Sequence, residues 1–317
     1  MNTTAPTTSS PKNSCFGNLR TSIVSCLFAA LFLGGCNNDP TAPEAKPAAA
    51  NAESVHDNAP SKSPASANIA PRLTKQPADS PKGNGQLRIA AASDLKFALD
   101  EVRGAFERLH PGSKVTVTYG SSGSFFSQLA NEAPFDLFLS ADIDYARRLV
   151  EQGQGARNSD FAYARGHIVV CVPKDSPHLT EQSGLEFLRE ERVQKIAIAN
   201  PKTAPYGRAA VAALKNLGVY DAVEPKLVYG DNVSQAAQMV ESGAADVGII
   251  ALSLAVSPAM RDQGKYWHVP ESTYPPLVQE GVILRWAQDA SLAGEFRDFL
   301  LSGAGTSILK QFGFDDP

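Results

Sequence analysis

Four short polar turns hold most of the chemistry that this sequence offers. They are "AASDL" around Ser93, "YGSSGS" with Ser121, Ser122 and Ser124, "NPKTAPYG" from Thr203 to Gly207, and "GDNVS" at Asn232 and Val233. Each follows an apolar run and precedes an amphipathic one, so each stands where a strand passes into a helix. The first N–H groups of a helix have no acceptor inside it. With the helix dipole they form an anion site that needs no Lys or Arg. Serine hydroxyls add donors that rotate to fit. Taken singly, each turn is better explained by capping, because Ser is a preferred N-cap worth about 1 kcal/mol. Gly120 and Gly123 equally permit a turn, and Pro201 and Pro205 suit a loop. Four such turns in one chain shift the reading toward a bound ligand. Asp94 is expected to face solvent in the first helical turn, since a carboxylate aimed at a dianion would repel it.

Other chemistries find less support. "GSSGS" lacks the spacing of a G-x-S-x-G nucleophile elbow, and His167, His178 and His268 are scattered without zinc-like spacing. Asp136, Asp142 and Asp144 in "FDLFLSADID" lack the Gly and Glu of a calcium loop, and the last two read as a helix start. A formal charge of -4 and the absence of any long Lys/Arg cluster argue against nucleic acid as a partner. No enzyme activity, no cofactor and no directly bound metal cation are expected.

The elements that must position these turns alternate. "LRIAAA", "KVTVTYG", "FDLFLSA", "HIVVCV", "KIAIA", "KLVYG" and "DVGIIA" read as strands, separated by helical stripes such as Leu95, Leu99, Val102 and Phe106. The rhythm predicts an α/β fold with mainly parallel sheets, in two clusters that form lobes around a cleft. Cys171 in "HIVVCVP" reads as a small buried hydrophobe, and no disulfide framework is available to it.

The N-terminal part differs. Lys12 and Arg20 precede "SIVSCLFAALFLGGC", an apolar stretch of signal-peptide length, so residues 1–36 are expected to be a signal. "LGGC" resembles a lipobox, which implies lipidation at Cys36 and a membrane anchor. Residues 37–85 are rich in Pro and Ala and contain no aromatic residue, the composition of a disordered linker.

"AAASDLKFALDEV", "YGSSGSFFSQLANEAPFDLFLSAD", "NPKTAPYGRAA" and the terminal "FGF", in this order, resemble the periplasmic molybdate-binding proteins of ABC importers. The resemblance covers Leu87 to Phe314. It implies a two-lobed periplasmic-binding fold of type II, with residues 86–166 and 270–317 in one lobe and 167–269 in the other. It also implies an exported monomer that captures molybdate, or tungstate, and delivers it to a membrane permease. Carried over residue by residue, the site comprises Ser93 and Ser122 from the first lobe, and Tyr206 and Val233 as backbone donors from the second. The family often places a Tyr donor at the position of Ala251. Since Ala has no hydroxyl, Tyr206 is expected to supply a substitute or a lid. The alternatives are another oxyanion such as sulfate or phosphate, an adhesin or stress-response lipoprotein, and, from a different class, a hydrolase.

Overall fold

The structure is a computed structural model that describes residues 85–176 and 185–317. The expected signal segment, Cys36 and the linker, apart from Gly85, lie outside the described residues. The first sheet begins with β1 (Gln86–Ala92), whose Leu87, Ile89 and Ala91 face one core while Ala90 faces another. Burial on both faces explains the unbroken apolar run. α1 (Lys96–Leu109) follows, seating Leu99, Val102 and Phe106 on the sheet, each wholly buried. Burial of one such side chain contributes about 1.5–3 kcal/mol. β2 (Lys114–Gly120), α2 (Ser122–Leu129), β3 (Leu137–Ser140), α3 (Ile143–Glu151) and β4 (Gly155–Gly166) continue the first lobe. Asp142 caps α3 by accepting the Asp144 amide at 2.9 Å, as the sequence suggested.

The second lobe comprises β5 (Ile168–Pro173), β6 (Ile196–Ala199), α4 (Pro205–Asn216), α5 (Tyr220–Val223), β7 (Leu227–Gly230), α6 (Val233–Glu241), β8 (Val247–Ala251), α7 (Leu252–Ala255) and β9 (Gly264–His268). Gly218 and Gly243 follow α4 and α6 with φ of 68° and 71°, the left-handed stop that an L side chain resists. The chain then returns to the first lobe as β10 (Leu277–Leu284), α8 (Ala290–Leu301) and α9 (Gly303–Gln311).

Each sheet has five strands, in the orders β2-β1-β3-β10-β4 and β7-β6-β8-β5-β9. β10 is antiparallel to both neighbours in the first sheet and β5 to both in the second, so the other four strands of each run one way. The opposed strand is in each case the one that enters a lobe across the hinge, a reversal that local periodicity does not encode. Cys171 lies buried in β5, where burial pushes its thiol up to about 12.

Register decides what meets at the strand ends. β1 and β2 pair through Ala92 opposite Gly120, so Ser93 and the serine turn emerge side by side. β6 and β7 pair through Ala199 opposite Gly230, which brings the Asn200 to Tyr206 turn beside Val233. Ligands of open α/β sheets bind at such carboxyl ends.

Candidate functional site

The four turns converge on one small cavity between the lobes, of about 10 Å³, with Ser93, Ser122, Tyr206 and Val233 in its lining. That is about the space of one water molecule, too little for an organic substrate as the lobes stand. Among the described residues no Lys or Arg lines it. Ser122 opens α2, Tyr206 is the second residue of α4 after Pro205, and Val233 opens α6, where backbone amides lack intrahelical acceptors. Asn232 caps α6 by accepting the Gln235 amide at 3.1 Å, which leaves the Val233 amide outside the cap. The two hydroxyls are oriented by what they accept. Ser122 Oγ accepts the Ala141 amide at 3.0 Å, and Ser93 Oγ accepts the Ser234 amide of the other lobe at 3.3 Å. Each keeps its own hydrogen to donate elsewhere. The arrangement is a cradle of neutral donors at three helix N-termini, suited to an anion without hydrogen of its own.

Contacts across the cleft hold the lobes together. The Gly123 amide donates to the Thr203 carbonyl at 2.9 Å, and a Cβ at Gly123 would sit 2.6 Å from that oxygen. This close approach is what requires glycine in "GSSGS". At the rim, Arg208 pairs with Asp142 and donates to the Tyr145 hydroxyl at 3.2 Å.

Several expectations need correction. Ser93 caps no helix with its side chain, because it lies inside a 3-10 turn, Ser93–Leu95, and its Oγ turns across the cleft. Asp94 does not face solvent: it is 1% exposed, and that turn directs it inward beneath the cradle. Its Oδ2 accepts the Tyr206 hydroxyl at 3.0 Å and Gln279 Nε2 at 2.5 Å, while Oδ1 has no hydrogen-bond partner. Burial pushes its carboxyl up to about 6, against the pull of Gln279, Tyr206 and the Asp94 and Leu95 amides. The Tyr206 hydroxyl is therefore engaged by Asp94 and forms no lid. Gly166 makes room for it, since a Cβ there would lie 2.0 Å from the hydroxyl oxygen. Burial, then the charge of Asp94, pushes the Tyr206 phenol well above its ordinary range. Ala251 is outside the cavity lining: it ends β8 opposite Ile168, wholly buried in the core of the second lobe.

Sequence reasoning did not find Gln279, which is buried in β10 and holds both Asp94 and the Tyr163 hydroxyl, the latter at 2.9 Å. Its one visible signal is an amide inside the apolar run "LVQEGVIL". Asp136, in the motif "EAPFDLF", is wholly buried and takes Arg88 through both oxygens at 2.8 and 3.0 Å, joining β3's entry to β1. Burial raises its carboxyl, but Arg88 and the Gln288 and Arg88 amides outweigh that and hold it below its ordinary value.

Among the described residues one cluster has metal-ligand types: His167, Glu271 and Asp315. The imidazole lies between the acids, with Nδ1 at 3.0 Å from Glu271 and Nε2 at 3.0 Å from Asp315. With one carboxylate on each ring nitrogen, the imidazole is held by hydrogen bonds as a clamp on the β4–β5 crossover. His178 lies outside the described residues.

Residues 87–315 match the family model described as "bacterial extracellular solute-binding protein". The chain is 34% identical to the molybdate-binding protein ModA of Rhodobacter capsulatus, covering 74% of this chain and 90% of that one. It is 35% identical to the ModA of Azotobacter vinelandii, covering 72% and 89%. The solved periplasmic molybdate-binding protein of Azotobacter vinelandii superposes with a TM-score of 0.68 at 31% identity, over 73% of this chain and 99% of that one.

Proposed function

The chain belongs to the bacterial extracellular solute-binding protein family, and from that premise we propose that it captures molybdate outside the cytoplasm and hands it to an ABC import permease. The observation that carries this reading is the convergence of two serine hydroxyls and three helix N-termini on a cavity lined by no cation. A fully deprotonated tetrahedral oxyanion offers only acceptors, which matches a site made of donors. A protonated phosphate brings a hydrogen that the serine and amide donors do not accept, the one carboxyl in the lining being the buried Asp94. Sulfate is smaller and meets the same donors with longer bonds, where about 1.4 kcal/mol of lost contact is tenfold in affinity. Tungstate presents the same acceptors as molybdate and is expected to bind alike.

Ser93 and Ser122 would donate hydroxyl hydrogens, and Tyr206 and Val233 backbone amides. Donors from both lobes meet the anion only when the cleft is shut, so binding favours closure. No covalent step is required, and no cofactor or bound cation enters the reading: the protein acts as a carrier, not an enzyme. We further propose a monomer tethered by lipid at Cys36 through residues 37–85, which the "LGGC" sequence supports. Calorimetry with molybdate, tungstate, sulfate and phosphate tests the ligand. Loss of palmitate labelling in Cys36→Ala tests the anchor.

A further inference from the structure

Among the described residues the other buried acids have clear partners: Asp136 holds Arg88, Glu280 holds Arg147, and Asp289 caps α8 at the Leu292 amide. Among the described residues Asp94 has no cation partner. The groups that face it are the Tyr206 hydroxyl from α4, the Gln279 amide from β10, and the Asp94 and Leu95 main-chain amides of its own turn. Tyr163 of β4 stands behind Gln279, Tyr274 lies near Tyr206, and Ser253 of α7 donates to the Asp94 main-chain oxygen at 2.7 Å. Lys96, on its own turn, lies over the Phe97 ring and outside the cavity lining. The three phenols are all pushed upward by burial and stay neutral at physiological pH.

We propose that Asp94 takes up one proton when the lobes close on a doubly charged oxyanion, so that capture is linked to pH at this residue. The inference rests on the reading that the cavity receives such a dianion. Asp94 belongs to the cavity lining, adjacent in sequence to Ser93, in a site that holds no counter-charge. A second negative charge there disfavours the carboxylate and favours the acid. Proton placement is set by the existing bonds. Oδ2 already accepts two hydrogens, so the solvent-derived proton goes to Oδ1, the oxygen without a partner. With the lobes together and no anion between them, the carboxyl is raised to about 6 by burial. Below that pH the proton is already present and affinity levels off. Above it, affinity falls as pH rises, by up to about tenfold per unit when one proton is fully linked. The anion is held through its oxygens by hydrogen bonds, and Asp94 acts as a positioning group, holding Tyr206 while its charge is removed.

The test is calorimetry of the purified protein with sodium molybdate at pH 7.2, in two buffers of different protonation enthalpy, together with affinity from pH 5 to 8.5. The proposal expects close to one proton taken up per anion, no uptake and a flat profile in Asp94→Asn, and a limb displaced to higher pH in Tyr206→Phe, which lacks one donor to the carboxylate. The phenylalanine variant keeps the test open should the asparagine variant fold poorly. Binding without proton uptake, or uptake unchanged in Asp94→Asn, overturns the proposal and leaves the functional reading intact. Absence of any molybdate heat overturns both.

Discussion

The hydroxyl of Tyr206, in the second lobe, donates to the carboxylate of Asp94 in the first at 3.0 Å, with both side chains buried. This bond crosses the cleft between the lobes, and it fixes the α4 residue whose amide belongs to the proposed cradle. Tyr206→Phe removes the hydroxyl and spares the amide. A net hydrogen bond is worth about 0.5–1.5 kcal/mol, so molybdate affinity is expected to fall about two- to twelvefold at pH 7. Calorimetry checks this; a loss of a hundredfold would mean that the phenol touches the anion itself.

Ser122→Ala and Ser93→Ala each delete a hydroxyl that accepts a backbone amide and keeps its hydrogen free. A lost donor to a charged group costs about 1.5–3 kcal/mol, so each variant should bind molybdate at least tenfold more weakly. Ser122→Ala also strands the Ala141 amide in a buried place, so its Tm should fall more than that of Ser93→Ala. Paired calorimetry and thermal melts read both effects.

Gly123→Ala offers a test of closure that leaves every proposed donor in place. The added methyl would lie 2.6 Å from the Thr203 carbonyl across the cleft. The variant should fold with a near-normal Tm, bind molybdate at least tenfold more weakly, and show a larger radius of gyration in small-angle scattering with molybdate present. A compact, tightly binding variant would remove this contact from the account.

Much of this arrangement was legible in the sequence, because strand-to-helix turns announce themselves locally. Ser122, Tyr206 and Val233 lie at helix starts that apolar periodicity locates, and Asp142 caps the helix it was expected to begin. What could not be read there depends on tertiary approach. Asp94 looked like a first-turn acid for solvent, but a 3-10 turn points it inward, where a residue 185 positions away, Gln279, receives it. Ala251 matched a family position yet lies in the core of its lobe, and its neighbours across the sheet come from β5. The opposed direction of β5 and β10 follows from the two hinge crossings, which no window of local sequence contains.

Asp94 also bears on stability. Its carboxyl is raised from 3.8 to about 6, so its contribution is fully present below pH 3.8 and is lost as pH rises through about 6. That rise corresponds to about 3 kcal/mol. Asp94→Asn lacks this titration, so its Tm relative to the native chain should become more favourable between pH 4 and pH 7. Thermal melts of the two proteins without ligand, across that range, check the slope. A constant difference would show that Asp94 is not strained by its charge.

The central claim, that a cradle of neutral donors selects a fully deprotonated tetrahedral oxyanion, is tested most directly by calorimetric titration of one preparation with molybdate, tungstate, sulfate and phosphate. The account predicts tight, similar binding of molybdate and tungstate, with sulfate at least tenfold weaker and phosphate weaker still. No heat with molybdate, or phosphate bound as tightly as molybdate, would contradict it.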